Sequence, residues 1–296
     1  MSNIYRKLLL PLDGSNAAEI AIPYIDELAA KLGADVIVVS VQESSDDRSH
    51  INEYYLDRVV NQIKRKTKEL GSVKPVNVIS ELLKGKTAPQ LVRFADETDV
   101  SLIVMSSYGS SGRQASLLGN IASKVLWSTT KPVMLIRKPV DPGLIQQNHL
   151  IRKILVPLDG SKTGETIIAC AEVVAQAVSA ELVLLQVLEP LRTVAGFETV
   201  APYSIPQGKE SIQAAAKDYL DNIGKSLKEK DIISSTEIAW GSAAERIIDY
   251  SEKNTDLVTI SSHGRSGVGR WVFGSVTEKV LQVGDKPVLV ARPVKS

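Results

Sequence analysis

Short apolar runs alternate along this chain with amphipathic stretches of helical length. In the first half the runs are Lys7 to Leu12, Val36 to Val41, Val76 to Leu82, Leu102 to Ser106 and Val133 to Ile136. Between them, helical patterns cover 16–32, 54–70, 88–98 and 120–128. The apolar runs show no polar alternation, so each is expected to be a strand buried on both faces. Strands of that kind, separated by helices, form a parallel sheet with helices above and below. Right-handed crossovers then make the sheet doubly wound, with a ligand crevice beyond the carboxyl ends of its strands. Ala21, Ile25, Leu28 and Leu32 recur at i, i+4, i+7 and i+11 and should pack on the sheet. Three helix starts read as capping boxes: Thr87-x-x-Gln90, Ser242-x-x-Glu245 and Ser275-x-x-Glu278.

The pattern occurs twice. Leu10-Pro11-Leu12-Asp13-Gly14-Ser15 returns as Val156-Pro157-Leu158-Asp159-Gly160-Ser161, and Lys131-Pro132-Val133 returns as Lys286-Pro287-Val288. Asp13 and Asp159 are 146 positions apart, whereas Gly109 and Gly264, like Gly119 and Gly274, are 155 apart. The second copy therefore carries extra residues between its motifs. Leu191 to Glu210, with Gly196, Pro202, Pro206 and Gly208, is the expected loop insertion and a candidate lid. Lys138 to Arg152 has the Pro and Gly content of a linker. Two domains are thus expected at 1–139 and 153–296, joined by 140–152. The last strands, Val133 to Ile136 and Val288 to Ala291, should pair within the chain and cover two open edges.

With 35 basic and 34 acidic residues in 296, the chain lacks the broad positive field of a general nucleic-acid binder. No apolar run is long enough to span a bilayer, no signal segment is recognisable, and Cys170 is the single cysteine, so a soluble cytoplasmic protein is expected. His50, His149 and His263 have no metal-ligand spacing. Gly224-Lys225-Ser226 mimics the end of a P-loop but lies late in a helical pattern, where a solvated helix end is the better reading. Trp127, Trp240 and Trp271 are read as packing residues.

Candidate chemistry gathers behind the fourth strand of each copy. Ser261-Ser262-His263-Gly264-Arg265-Ser266-Gly267 is dense in small residues and leads to Gly274-Ser275 at a helix start. Bare amides and a positive helix end make such a segment an anion site. Asp159, on the same crevice edge, is placed to accept hydrogen bonds from a sugar or base. Each feature also has an ordinary structural reading, as strand end, helix cap or Asp-Gly turn. For His263 a turn-shaping hydrogen bond is favoured over general-base work.

Together, the opening Asp-Gly-Ser motif, the Ser-Ser-His-Gly loop, the nine-residue spacing to Gly-Ser and the closing Lys-Pro-Val strand resemble the universal stress protein family. The resemblance covers both halves. It implies two tandem Rossmann-like α/β domains of the adenine nucleotide alpha hydrolase-like type, each a five-stranded parallel doubly wound sheet. It also implies a stress-response protein that binds ATP or another adenine nucleotide, with or without magnesium. In the second copy the implied contacts are Pro157, Asp159, Val187, Ser261, Gly264, Arg265, Gly274, Ser275 and Val276. In the first they are Pro11, Asp13, Val41, Ser106, Gly109, Gly119, Asn120 and Ile121. Both copies depart from the family pattern, since Ser106 and Ser261 stand where its first glycine is expected. The first departs further, with Tyr108 for the histidine and Asn120 for the hydroxyl residue, so the second copy is the favoured site.

No nucleophile, cation clamp and metal-holding carboxylates cluster near either loop, so binding with slow hydrolysis at most is expected. The alternatives are a ligand-free interaction module of the same family and, from the enzyme class, a nucleotidyl transferase on a related fold. The two halves are expected to form an intramolecular pseudo-dimer, with a further homodimer and an unidentified protein partner left open; neither nucleic acid nor membrane is expected as a partner.

Overall fold

The computed structural model describes residues 4–43, 49–108, 118–189, 205–264 and 273–292. The first half runs β1 (Lys7–Pro11), α1 (Asn16–Glu19), α2 (Ile22–Leu32), β2 (Asp35–Gln42), α3 (Ser49–Glu69), β3 (Val78–Lys84), α4 (Thr87–Glu97), β4 (Leu102–Ser106), α5 (Asn120–Ser128) and β5 (Val133–Ile136). After α6 (Pro142–Gln147) the second half repeats the order: β6 (Lys153–Pro157), α7 (Lys162–Val178), β7 (Glu181–Leu188), α8 (Ile205–Lys228), β8 (Ser234–Trp240), α9 (Ala243–Asn254), β9 (Leu257–Ser261), α10 (Ser275–Val283) and β10 (Val288–Ala291).

All ten strands form one sheet in the order β3-β2-β1-β4-β5-β10-β9-β6-β7-β8. Pairing is parallel within each half. It is antiparallel only at the seam, where Val288, Leu289 and Val290 of β10 face Leu135, Met134 and Val133 of β5. The seam covers two edges that would otherwise offer unpaired backbone groups to another chain.

Successive residues of the central strands supply opposite faces of the sheet. Leu8 and Leu10 join a core beneath α2, α3 and α7, while Leu9 joins the core beneath α4 and α5. Ala21, Ile25 and Leu28 are fully buried and Leu32 nearly so. Each buried leucine or isoleucine is worth about 1.5–3 kcal/mol relative to an exposed one, which is what fixes the strand register.

Three local expectations are corrected. The helix read over 16–32 is two helices, because Pro23, the second residue of α2, lacks an amide that a continuous helix would use. Residues 205–210, read as part of a loop, are the first turns of α8, where a proline lacks only an amide that has no helical partner. Residues 191–204 of that loop lie outside the described residues, as does Trp271. The capping boxes also fail. Thr87 and Ser275 are each the first helical residue, behind Lys86 and Gly274, and Ser242 is an N-cap whose side chain makes no capping bond. The serines that do cap are Ser15 and Ser161, whose Oγ atoms accept from Ala18 N and Gly164 N.

Two features lock the halves together besides the seam. Arg137, just past β5, is buried, and its guanidinium donates to the carbonyl of Leu281 near the end of α10. Arg292, just past β10, donates to the carbonyls of Leu126 and Trp127 near the end of α5, at 3.2 and 2.7 Å, and lies over the Phe273 ring. Trp127 meets that ring edge-on at 4.5 Å. Each half thus satisfies the last carbonyls of a helix in the other. The linker is pinned as well: Glu27 Oε1 accepts from Leu150 N, and Asp256 Oδ2 accepts from Arg152 N and Lys153 N.

Candidate functional site

Above the carboxyl ends of β1, β2 and β4 lies a cavity of about 350 Å³, and above β6, β7 and β9 lies its repeat, of about 270 Å³. The motifs converge there. Pro11, Asp13, Val41, Ser106, Gly119, Asn120 and Ile121 line the first, and Pro157, Asp159, Val187, Ser261, Gly264, Gly274, Ser275 and Val276 line the second. Gly109 and Arg265 lie outside the described residues.

The Asp-Gly-Ser motif builds the crevice floor. Gly14 and Gly160 adopt φ of +80° and +81°, left-handed values that favour glycine. The turn carries the aspartate back, so Asp13 Oδ1 accepts from Ser15 N and Oγ at 3.0 and 2.5 Å. Asp159 Oδ1 does the same with Ser161, at 2.9 and 2.6 Å. One carboxylate oxygen is therefore structural in each half, as the Asp-Gly turn reading held. In the second crevice the other oxygen is pressed against the Gly264 backbone: a Cβ on Gly264 would lie 2.3 Å from Asp159 Oδ2, and one on Gly164 2.6 Å from Oδ1. Asp159 is hemmed in by two glycines, whereas Ala18 stands at the place of Gly164 in the first half.

The opposite wall is a helix start. Gly119 and Gly274 are the N-caps of α5 and α10, and neither helix has a side-chain cap. The first backbone donors of both helices therefore have no partner within the helix, and Asn120, Ile121 and Ala122, like Ser275, Val276 and Thr277, line the cavities. Gly119 N donates to Ser107 O and Gly274 N to Ser262 O, which fixes the loop return in each half. The two glycines are not equally constrained. A Cβ would fall 2.6 Å from Ser107 O at Gly119 but 3.8 Å from Ser262 O at Gly274. In the second half Thr277 Oγ1 also ties α10 to Ser261 O at 2.8 Å; Ala122 lines the first cavity at the corresponding place.

The serines at the family's glycine position are compatible with an open site. Both are buried: Ser106 Oγ accepts from Tyr108 N of its own loop at 3.2 Å, whereas Ser261 Oγ donates to Thr163 O of α7 at 3.4 Å and accepts from His263 N at 3.5 Å. His263 Nδ1 lies 2.8 Å from Ser262 Oγ, and its Nε2 is buried without a hydrogen-bond partner among the described residues, in line with a ring that shapes the turn.

Sequence reading missed one part of the first site. Glu43 lines that cavity, and its Oε1 accepts from Thr87 N at 2.9 Å and Thr87 Oγ1 at 2.5 Å. These bonds hold the Glu43 carboxyl below its ordinary range, so it is ionised at neutral pH. The signal was available, since Val39, Val41 and Glu43 alternate along one face of β2 and its continuation. Gly85 and Gly241, both with positive φ, align Thr87 with Ala243, so the second crevice has no hydroxyl there. Its corresponding wall is Val187, Ala243 and Ile247.

The residues present fit a nucleotide. An uncapped helix start with bare glycine backbone suits phosphate, an aspartate suits hydroxyl groups, and the apolar ends of β2 and β7 suit a flat base. Among the described residues, no three His, Cys, Asp or Glu side chains gather as a metal site, and no helix is long and apolar enough to cross a membrane.

Two doubly wound α/β halves, each with a crevice at its strand ends, define a tandem α/β architecture. Residues 4–137 and 150–292 each match the universal stress protein family, and the chain belongs to that family. Universal stress protein Slr1230 of Synechocystis is 25% identical over 317 residues, covering 97% of this chain and all of that protein. Universal stress protein MJ0531 of Methanocaldococcus jannaschii is 27% identical over 144 residues, 46% of this chain and 85% of its own length. A universal stress protein structure from Archaeoglobus fulgidus superposes with a TM-score of 0.68 at 19% identity, covering 99% of this chain and 100% of the other, which shows a common fold.

Proposed function

We propose that this protein binds an adenine nucleotide, ATP or a close relative with or without magnesium, in its two crevices, and that occupancy rather than turnover is what its partners read. The setting is a cytoplasmic stress response, and the working units are the halves 1–139 and 153–296 about the 140–152 linker. The observation that carries this reading is the second crevice, where the uncapped start of α10 faces Gly264 backbone lying against Asp159. Phosphates belong on Gly264, Gly274, Ser275 and Val276, with Arg265 beside them; ribose belongs on Asp159, and the base on Val187.

The second crevice is the tighter of the two in this reading. Its described wall brings one carboxylate, Asp159, against two in the first, Asp13 and Glu43, and an anionic ligand is disfavoured by each.

Calorimetric titration with ATP, ADP and AMP, with and without magnesium, tests the proposal. Gly264→Val drives a side chain into Asp159 and should weaken the second site at least about a hundredfold, more than 2.7 kcal/mol, while leaving the first. Absence of nucleotide binding by the unaltered protein would instead favour a ligand-free interaction module.

A further inference from the structure

We infer that the hollow between α2, α3 and the linker helix α6 binds a small aliphatic amino acid, its ammonium group held by Asp26 and Glu27 and its carboxylate by Lys66 and Arg65. The site is separate from both crevices and does not depend on what they bind.

The hollow has a volume of about 230 Å³. At roughly 30 Å³ for a water-sized unit, that suits a compound of about eight non-hydrogen atoms. Pro23 of α2, Leu70 just past α3, Ile145 of α6 and Leu150 of the linker give it apolar walls. The linker occurs once in the chain, so the other half has no copy of this enclosure.

Two acids line the hollow and are incompletely paired. Asp26 and Glu27 are 6% and 2% exposed, and Asp26 Oδ1 and Glu27 Oε2 have no hydrogen-bond partner among the described residues. Glu27 Oε1 is already engaged by Leu150 N at 3.0 Å. Buried carboxylate oxygens are ordinarily matched by donors, and a cationic donor offsets their charge best. The scaffold itself does not require the pair. At the same places on α7, 146 positions later, stand Glu172, which pairs with Lys230, and Val173, which packs on the core.

The opposite charge stands at the mouth. Lys66 and Arg65 of α3 line the same hollow with side chains 30% and 76% exposed. They approach Glu69 only to 3.6 and 3.7 Å, too far for hydrogen bonds, so their donors remain for a carboxylate. Negative floor, apolar wall and positive mouth match the two charged ends and the aliphatic body of one zwitterion. A diamine would set its second charge against Lys66 and Arg65, and a simple fatty acid would leave the buried acids unmatched.

Calorimetric titration of the full chain with L-leucine and L-valine tests the inference. One molecule should bind per chain, and 3-methylbutylamine and 4-methylpentanoate, which each lack one charged end of leucine, should bind at least about tenfold more weakly. Lys66 and Glu69 of α3 face Asp26, while Lys31 of α2 and Asp256 of the second half face Glu27; burial holds both carboxyls up to about 7. A bound ammonium ionises them, so titrations at pH 7 in phosphate and in Tris should differ by the heat of proton release. Asp26→Asn keeps the shape of the site and Glu27→Gln keeps an oxygen for Leu150 N; each should weaken L-leucine at least about tenfold and leave ATP titrations unchanged. Unchanged circular dichroism in both variants separates lost binding from misfolding. No binding of either amino acid to the unaltered protein, equal binding by Asp26→Asn and Glu27→Gln, or 3-methylbutylamine as tight as L-leucine would overturn the inference, and each leaves the nucleotide reading of the crevices untouched.

Discussion

The two halves share a backbone plan and differ in what they bury. In the first, Asp26 on α2 is 6% exposed, its Oδ1 has no hydrogen-bond partner among the described residues, and burial pushes its carboxyl up to about 7. The residue 146 positions later, Glu172 on α7, is half-buried and pairs with Lys230 at 2.6 Å. The same helix face thus carries a desolvated acid in one copy and a partly solvated ion pair in the other. A duplicated scaffold fixes where residues stand, while the charge state at each place follows local packing.

Stability measured against pH separates these two acids most strongly. The folded Asp26 carboxyl is raised above its unfolded value near 3.9, so the folded state holds the proton longer and stability falls as pH rises between about 4 and 7. Asp26→Asn should therefore leave urea midpoints unchanged near pH 4 and raise stability by about 2–4 kcal/mol at pH 8. Glu27, also buried and raised to about 7, adds a loss of the same sign over the same window. Glu172→Gln should change stability by less than about 1 kcal/mol at either pH, because its ion pair is partly solvated.

The crossed arginines sharpen the comparison at an intermediate scale. Arg137→Ala strands the Leu281 carbonyl in a buried place and should cost about 2–3 kcal/mol in thermal or urea unfolding. Arg292→Ala, at a more open position, should cost about 1 kcal/mol. Equal losses would mean that the two ends of the seam are energetically alike.

The helix-start glycines carry the comparison from stability to affinity. Gly119→Ala forces a methyl toward Ser107 O and should weaken the first site by about tenfold, while Gly274→Ala meets nothing closer than 3.8 Å and should change second-site affinity by less than about twofold. Titrating Gly119→Ala in the Gly264→Val background, and Gly274→Ala in the otherwise unaltered protein with a two-site fit, measures the pair.

Much of the architecture could be read directly from the residues. β4, β5 and α5 fall where their apolar patterns place them, because a strand buried on both faces leaves an unbroken hydrophobic run. The crevice-lining Asp, Ser and Gly positions were visible as repeats. The capping boxes were not real, because Ser/Thr-x-x-Gln/Glu spacing ignores where the backbone turns: Gly85 and Gly274 place the caps one residue earlier than at Thr87 and Ser275. Glu43 escaped notice because its importance lies in a bond to Thr87, 44 residues along, which only the sheet brings near. The burial of Asp26 was equally hidden, since the helix face it occupies is closed by α3 and the linker, not by its own neighbours.

The guanidinium groups past β5 and β10 reach partners 144 and 165 residues away in sequence. Because each helix that opens a crevice ends against an arginine of the opposite half, the seam and the two crevices share one continuous frame.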